Sequence, residues 1–224
     1  MRRILVTGAN KGIGLAIAKA ILHEHKDTFV YLGSRDLERG RAAAADIELP
    51  DRVKVVAIDV ASDTSVAGAL KDVEGPLYGI VNNAGAGASS NLEQMLQTNA
   101  LGVRRVCETF RPLLEAKGRI VNVTSASGPS FIPEATADEK KLLLDPEVTW
   151  PRLDAYVQDS IAKKRATGGE AYGLSKAVAN AYTVMLAREH PELRINACTP
   201  GFIHTDMTRA YVQAQSKSPD ELGL

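Results

Sequence analysis

The chain holds 224 residues, enough for one full-sized hydrophobic core and too few for two substantial domains. Lys+Arg and Asp+Glu both total 27, and a formal net charge of zero gives no footing to nucleic acid or to a strongly charged surface as partner. Two cysteines, Cys107 and Cys198, both read as lying in apolar surroundings, argue against a disulfide framework and for a reducing compartment.

Ile4, Leu5 and Val6 make a short apolar run, as a buried parallel strand would. The preceding Arg2-Arg3 does not make it a leader or a membrane span, because the run breaks at Thr7-Gly8. Three glycines follow, Gly8, Gly12 and Gly14, and then a helical pattern with Ile13, Ile17, Ala20 and Ile21 at three- and four-residue intervals. Strand, glycine-rich turn and helix in succession suit a dinucleotide pyrophosphate. Small residues let the backbone approach it, free N–H groups at the helix start face its charge, and Lys11 adds a cation. The spacing is Gly-x-x-x-Gly-x-Gly, which differs from the Gly-x-Gly-x-x-Gly of ordinary dinucleotide folds.

Residues 28–32 read as the second strand, followed by a break at Gly33-Ser34-Arg35-Asp36, where Asp36 caps a helix reaching about Glu48. Residues 53–58 form the third strand, ending at Asp59-Val60, and Ser62-Asp63 opens a helix to about Val73. The fourth strand, 77–81, runs into Asn82-Asn83-Ala84-Gly85. A long helix spans 92–116 with Pro112 as a bend or boundary, and 119–123 is the fifth strand. Residues 126–170 are less regular. A helix from Ala171 to about His190 ends at Pro191, and 193–198 is the sixth strand.

Alternating strands and helices imply βαβ crossovers and an α/β, doubly wound, mostly parallel sheet, in one domain over 1–224. A site is then expected beyond the carboxyl ends of the strands, and every unusual polar cluster falls there: 8–14, 33–36, 59–60, 82–85, 124–128 and 199–205. Arg35, just after the second strand, suits a 2′-phosphate through a charge-assisted fork, so with Lys11 it favours NADP(H) over NAD(H). Asp59 is placed to accept from an adenine amino group, with Val60 beside the ring. Ala84-Gly85 leaves room for a ribose, while Asn82 fits a structural role as well as a ligand contact. Tyr172 and Lys176 stand four residues apart on one helix face, where an ammonium stabilises a phenolate and brings its pKa toward the working range. Ser125 can donate to a carbonyl oxygen, and Asn99 can hold a water near Lys176. Together they suit ketone–alcohol interconversion by a nicotinamide cofactor, in either direction. The four histidines form no metal-ligand set.

Thr7-Gly-Ala-Asn-Lys-Gly-Ile-Gly14, Asn82-Asn-Ala-Gly85, Asn99, Ser125, Tyr172-x-x-x-Lys176, Pro200-Gly201 and Thr205-Asp206-Met207, in this order, resemble the short-chain dehydrogenase/reductase family, in particular its carbonyl-reductase type. The resemblance covers roughly residues 2–207. It implies a Rossmann-like sheet in the order 3-2-1-4-5-6 and NADP(H) as cofactor. The implied tetrad is Asn99, Ser125, Tyr172 and Lys176, with Tyr172 as general acid/base, Lys176 lowering its pKa and touching the nicotinamide ribose, and Ser125 orienting the substrate oxygen. Gly8, Asn10, Lys11, Gly12, Ile13 and Gly14 would line the cofactor, with Pro200, Gly201, Ile203 and Thr205 bordering its nicotinamide and pyrophosphate. A small or medium aldehyde, ketone or quinone would be the substrate, in the cytoplasm, with no nucleic acid or membrane partner; a cofactor-binding regulator with little turnover is the alternative.

Two departures stand out. The stretch between Ser125 and Tyr172 is far longer than in ordinary members, and helices are expected at 139–145 and 152–165. Carbonyl-reductase-like members carry a comparable insert over the surface that other members use to form tetramers, which implies a monomer. The substrate region after Gly201 reads as shortened, with the family's seventh strand absent, which leaves dimerisation through an open sheet edge as the other possibility.

Overall fold

The computed structural model describes residues 1–87 and 89–209. Six strands form one sheet: β1 (Arg2–Val6), β2 (Thr28–Ser34), β3 (Val53–Ala57), β4 (Leu77–Asn82), β5 (Leu114–Val123) and β6 (Arg194–Cys198). Every pairing is parallel, and the spatial order is β3-β2-β1-β4-β5-β6. The winding reverses between β1 and β4, so their carboxyl ends diverge into a crevice.

Alternation along the strands feeds two cores. Ile4, Val6, Val30 and Leu32 face Ala18 and Leu22 of α1 (Gly12–Glu24) and Ala43 of α2 (Leu37–Ala45). Leu5, Tyr31, Ile80 and Ile120 face the other way. They meet α3 (Asp63–Ala69), α4 (Leu92–Leu96), α5 (Gly102–Phe110) and, after the helices of the insert, α9 (Gly168–Glu189). Each fully buried aliphatic side chain there contributes about 1.5–3 kcal/mol, which is why the strands are short yet apolar on both faces.

The helical stretch expected over 92–116 is shorter and less regular. A π-helical turn, Gln97–Leu101, interrupts it between α4 and α5. It ends at Phe110, and Pro112, with no N–H to continue the ladder, sits in the 3₁₀ turn Arg111–Leu113. β5 consequently starts early: Leu114 pairs with Leu77, the register shifts around Lys117 at φ 63°, and Arg119 pairs with Gly79. Asp36 caps α2 as expected, its carboxylate accepting from Arg39 N at 3.1 Å, but α2 ends at Ala45.

The insert forms three helices, α6 (Ser127–Phe131), α7 (Ala137–Leu143) and α8 (Trp150–Ala162). The start of α7 is a capping box: Thr136 Oγ1 accepts from Glu139 N and the Glu139 carboxylate from Thr136 N. α8 lies against α4 and α9, with Leu153 and Val157 fully buried and Trp150 edge-on to Tyr182 at 5.8 Å. Cys107 is buried as expected, and that burial pushes its thiol up to about 12, whereas Cys198 at the end of β6 is exposed. Of the substrate region expected over 201–224, residues 201–209 are described, and the expectation about a seventh strand lies outside the described residues.

Candidate active site

The turn between β1 and α1 is laced to the end of β4. Thr7 Oγ1 accepts from the backbone N–H groups of Asn83 and Ala84, each at 3.1 Å, and Asn83 Nδ2 donates to the carbonyls of Thr7 and Gly8 at 3.0 and 3.1 Å. This lacing explains two of the glycines. Gly8 has φ +62°, and a Cβ on it would stand 2.8 Å from Ala84 Cα; one on Gly14 would stand 2.4 Å from both Asn83 Nδ2 and Gly8 O. Lys11 precedes α1 without capping it through its side chain, and no acidic residue occupies the first turn. The helix start, with Gly12 and Ile13, therefore keeps N–H groups for an anion.

Asn83, a member of the 82–85 cluster but not among the expected cofactor contacts, makes these bonds. Asn82, weighed from sequence as structural or ligand-binding, is turned inward: it is buried, and its Nδ2 donates to Asn122 Oδ1 at 2.8 Å and to Cys107 Sγ at 3.2 Å. That removes its side chain from the crevice. Val60 is corrected in the same way. It is 6% exposed, and both its side chain and its carbonyl oxygen lie toward Gly102 of α5, the carbonyl also accepting from Arg105 Nη1 at 3.3 Å. Asp59 is partly committed, one carboxylate oxygen accepting from Ala61 N at 3.0 Å.

On the outer side of the turn a cleft of about 370 Å³ is lined by Asn10, Lys11, Arg39, Ala42, Ala43 and Asp206. Arg35 is exposed nearby on the chain, at the end of β2, and makes no ion pair among the described residues. Arg39, one helical turn further on, was not singled out from sequence. It is paired loosely with Asp36 at 3.3 Å and lines the cleft with Lys11.

The remaining residues converge beyond β4 and β5. Lys176 is 5% exposed and its Nζ donates to Val123 O at the end of β5, at 3.0 Å. Burial drives this ammonium down to about 8. The Tyr172 phenol is pushed up from its ordinary range by burial, and a hydrogen bond with Ser125 only partly offsets this. The sequence reading expected Lys176 to lower the phenol's pKa. Here the Nζ is 5.7 Å from the ring centroid and its bond goes to Val123 O, so burial wins. A protonated phenol is the form that donates a proton.

Ser125 follows β5 and pairs with Ser127, whose N–H donates to Ser125 Oγ at 3.1 Å. α6 and α9 cross at backbone distance there. A Cβ on Gly128 would meet Lys176 C at 3.0 Å, and one on Gly173 would meet Ser127 O at 2.9 Å. Those two glycines were the overlooked signal that 126–131 packs against the tyrosine helix. Asn99 sits in the π turn, a feature that often marks function. Its Oδ1 accepts from Ala86 N at 2.8 Å, and its Nδ2 donates to Ala86 O at 3.0 Å and Ser175 Oγ at 2.9 Å. Both side-chain N–H groups are thus spent inside the protein, so a water held by Asn99 would have to donate to one of its oxygens. Gly85 passes beside this pair: a Cβ on it would lie 3.5 Å from Asn99 Oδ1 and 3.9 Å from Lys176 Nζ.

Behind β6, Pro200 and Gly201 (φ +81°) lead into a segment that returns over the crevice. Thr205 Cγ2 lies 3.6 Å from where a Gly12 Cβ would be, and Met207 packs on Gly87. Phe202, Ile203 and Met207 are large apolar residues left substantially exposed.

The family model for short chain dehydrogenase matches residues 2–137. The chain belongs to that family. It is similar to (+)-neomenthol dehydrogenase of Arabidopsis thaliana, 34% identical over 92% of this chain and 84% of the relative, and to carbonyl reductase [NADPH] 3 of Mus musculus, 33% identical over 93% and 84%. Among solved structures, salutaridine reductase of Papaver somniferum superposes with a TM-score of 0.81 at 27% identity, covering 92% of this chain and 88% of that one. The menthone neomenthol reductase of Mentha piperita gives 0.79 at 29%, covering 89% of each. The chain is therefore a carbonyl-reductase-like oxidoreductase, of a family that uses nicotinamide cofactors and acts on small molecules. Among the described residues no helix is long and apolar enough to cross a membrane, and no group of His, Cys, Asp and Glu could hold a metal ion.

Proposed function

We propose that the protein reduces a small or medium apolar aldehyde, ketone or quinone with NADPH, with Tyr172 as the proton donor. The observation that carries this reading is the half-buried Tyr172, its phenol kept protonated beside Ser125, one turn from a buried Lys176 anchored on β5.

The residues present fit the cofactor. The uncapped start of α1 suits a pyrophosphate. Lys11, Arg35 and Arg39, with the cleft that Asn10 also lines, suit a 2′-phosphate, and Arg35 and Arg39 favour NADPH over NADH. Asp59 would border the adenine, Ala84 and Gly85 the ribose, and Pro200, Gly201, Ile203 and Thr205 the nicotinamide side.

When bound, NADPH supplies the hydride for the carbonyl carbon. Ser125 Oγ–H donates to the carbonyl oxygen and orients it. Tyr172 Oη gives its proton to that oxygen as the negative charge develops, leaving a phenolate. The Lys176 ammonium stabilises that phenolate through space and returns a proton to it from solvent. Phe202, Ile203 and Met207 give the mouth an apolar rim, which favours apolar carbonyls over charged ones. α8 covers the α4–α9 face, which favours a monomer, and the two unpaired cysteines suit the cytoplasm.

The test is NADPH oxidation over a broad panel of carbonyls with Tyr172→Phe as control. Turnover at least a hundredfold above the variant on an apolar ketone, aldehyde or quinone is expected, roughly the contribution of a positioned acid. Wild-type rates no faster than the variant across the panel would overturn the reading.

A further inference from the structure

Ser175 lies between Tyr172 and Lys176 on α9 and is fully buried. Alanine would pack in such a place with no polar atom to satisfy, and a buried hydroxyl bonded back to its own helix still has lone pairs to offer a partner outside it. It has one. Ser175 Oγ donates to the Tyr172 carbonyl at 2.8 Å and accepts from Asn99 Nδ2 at 2.9 Å. The other N–H of Asn99 Nδ2 goes to Ala86 O at 3.0 Å, and Asn99 Oδ1 accepts from Ala86 N at 2.8 Å. A continuous hydrogen-bonded path therefore joins the loop after β4, the π turn and the main chain of Tyr172.

Building on the reading of Tyr172 and Lys176 as a hydride-transfer site, the geometry points to Ser175 as a positioning residue. It fixes the Asn99 amide against α9, and through that amide it fixes the Gly85–Ala86 backbone relative to the phenol and the ammonium. The path has no slack. Asn99 has two N–H groups, and both are used in it. The Gly85 backbone passes so near that a Cβ on it would touch both Asn99 Oδ1 and Lys176 Nζ. The loop that borders the cofactor side and the helix that carries the proton donor are thus held at a set spacing by one serine and one asparagine. Removing the hydroxyl leaves an Asn99 N–H unpaired in a buried site and lets the π turn relax away from α9. Hydride and proton transfer need the reacting groups aligned to within a fraction of an ångström, so a small relaxation shows in kcat before it shows in binding.

The experiment compares Ser175→Ala, Ser175→Thr, Asn99→Ala and the Ser175→Ala/Asn99→Ala double variant, with Tyr172→Phe in parallel. It measures kcat, KM for NADPH and carbonyl, and Tm. Ser175→Ala is expected to lower kcat about tenfold with both KM values within about twofold. Ser175→Thr keeps a hydroxyl able to bond the Tyr172 carbonyl and is expected to recover most of that loss. The double variant is expected to be no slower than Asn99→Ala alone, because the two residues act as one unit. Three results would overturn the assignment. These are a wild-type kcat in Ser175→Ala, a loss confined to Tm, and single losses that multiply in the double variant. Tyr172→Phe separates the two levels. If it abolishes turnover while Ser175→Ala matches wild type, the positioning role alone fails. If it retains turnover, the underlying reading fails and the positioning role with it.

Discussion

Lys11 and Asp206 meet at 3.0 Å and tie the glycine-rich turn to the segment behind β6, across 195 positions of chain. Their neighbours tighten the same crossing, with Thr205 over Gly12 and Met207 on Gly87. The cation nearest the start of α1 is therefore already occupied by a carboxylate, in the region where a phosphate of the cofactor is proposed to lie. Both side chains are about half exposed, so the pair adds little to stability. Asp206→Asn should leave Tm unchanged and tighten NADPH binding about two- to fivefold at low salt, with the gain shrinking by 0.5 M salt, roughly as Debye screening requires. Fluorescence titration at several ionic strengths measures it; weaker binding in the variant would contradict the competition.

Arg35 and Arg39 sit where a 2′-phosphate is expected to distinguish the two nicotinamide cofactors. A charge-assisted hydrogen bond is worth about 1.5–3 kcal/mol, or about tenfold or more in affinity. Replacing both arginines with alanine should raise KM for NADPH by at least about tenfold and leave KM for NADH within about twofold. Equal losses for both cofactors would assign the arginines to general structure.

The depressed pKa of Lys176 has two opposite consequences. Its ammonium, held at about 8 against an ordinary 10.5, is lost as pH rises through 8, so the proposed reduction should slow with a midpoint near that value. Stability runs the other way. Between about pH 8 and 10.5 the unfolded chain binds more protons at this group, so stability rises with pH there, and below pH 8 the buried charge is a constant penalty. Lys176→Met should accordingly raise Tm at pH 7 by a few degrees while abolishing turnover. Paired melting curves and pH–rate profiles test both halves.

Within the insert, Glu139 is nearly buried and accepts from Arg165, Tyr156 Oη at 2.9 Å and Thr136 N at 2.8 Å. Burial alone would raise this carboxyl, but the hydrogen bonds, led by Arg165, outweigh it and hold it at about 2. The stabilisation is complete above the ordinary carboxylate range and fades as pH falls toward 2. Arg165→Met strands the carboxylate and should cost about 3–5 kcal/mol in urea unfolding at pH 7, with much of it recovered by adding Glu139→Gln.

Much of this architecture was legible because it rests on local signals. Apolar runs ending in glycine or asparagine marked the strands, and the polar clusters between them fell on the crevice. What escaped needed partners distant in the chain. Asn82 and Asn83 are neighbours with the same side chain, and only the alternation at the end of β4 sends one inward to Asn122 and the other across to Thr7. The π turn around Asn99 has no propensity signature. It is supported by Arg105, which donates to Gln97 O at 3.1 Å from the next helix turns. Arg39 looked like one more charge on an exposed helix until α2 was seen to border the cleft. The start of α7 was readable in retrospect, since Thr136-Ala-Asp-Glu139 is a capping box in plain sequence.

Trp150 rests edge-on against Tyr182, with the Arg104 guanidinium 4.3 Å from the centre of its ring. Because α8 is covalently tethered to the helices it covers, it occupies their apolar face at an effective concentration that a separate molecule must exceed to displace it. Protease nicks on both sides of α8, in its links to α7 and to α9, would turn this intramolecular contact into a reversible association, and the face beneath would become adhesive as the fragment diluted away.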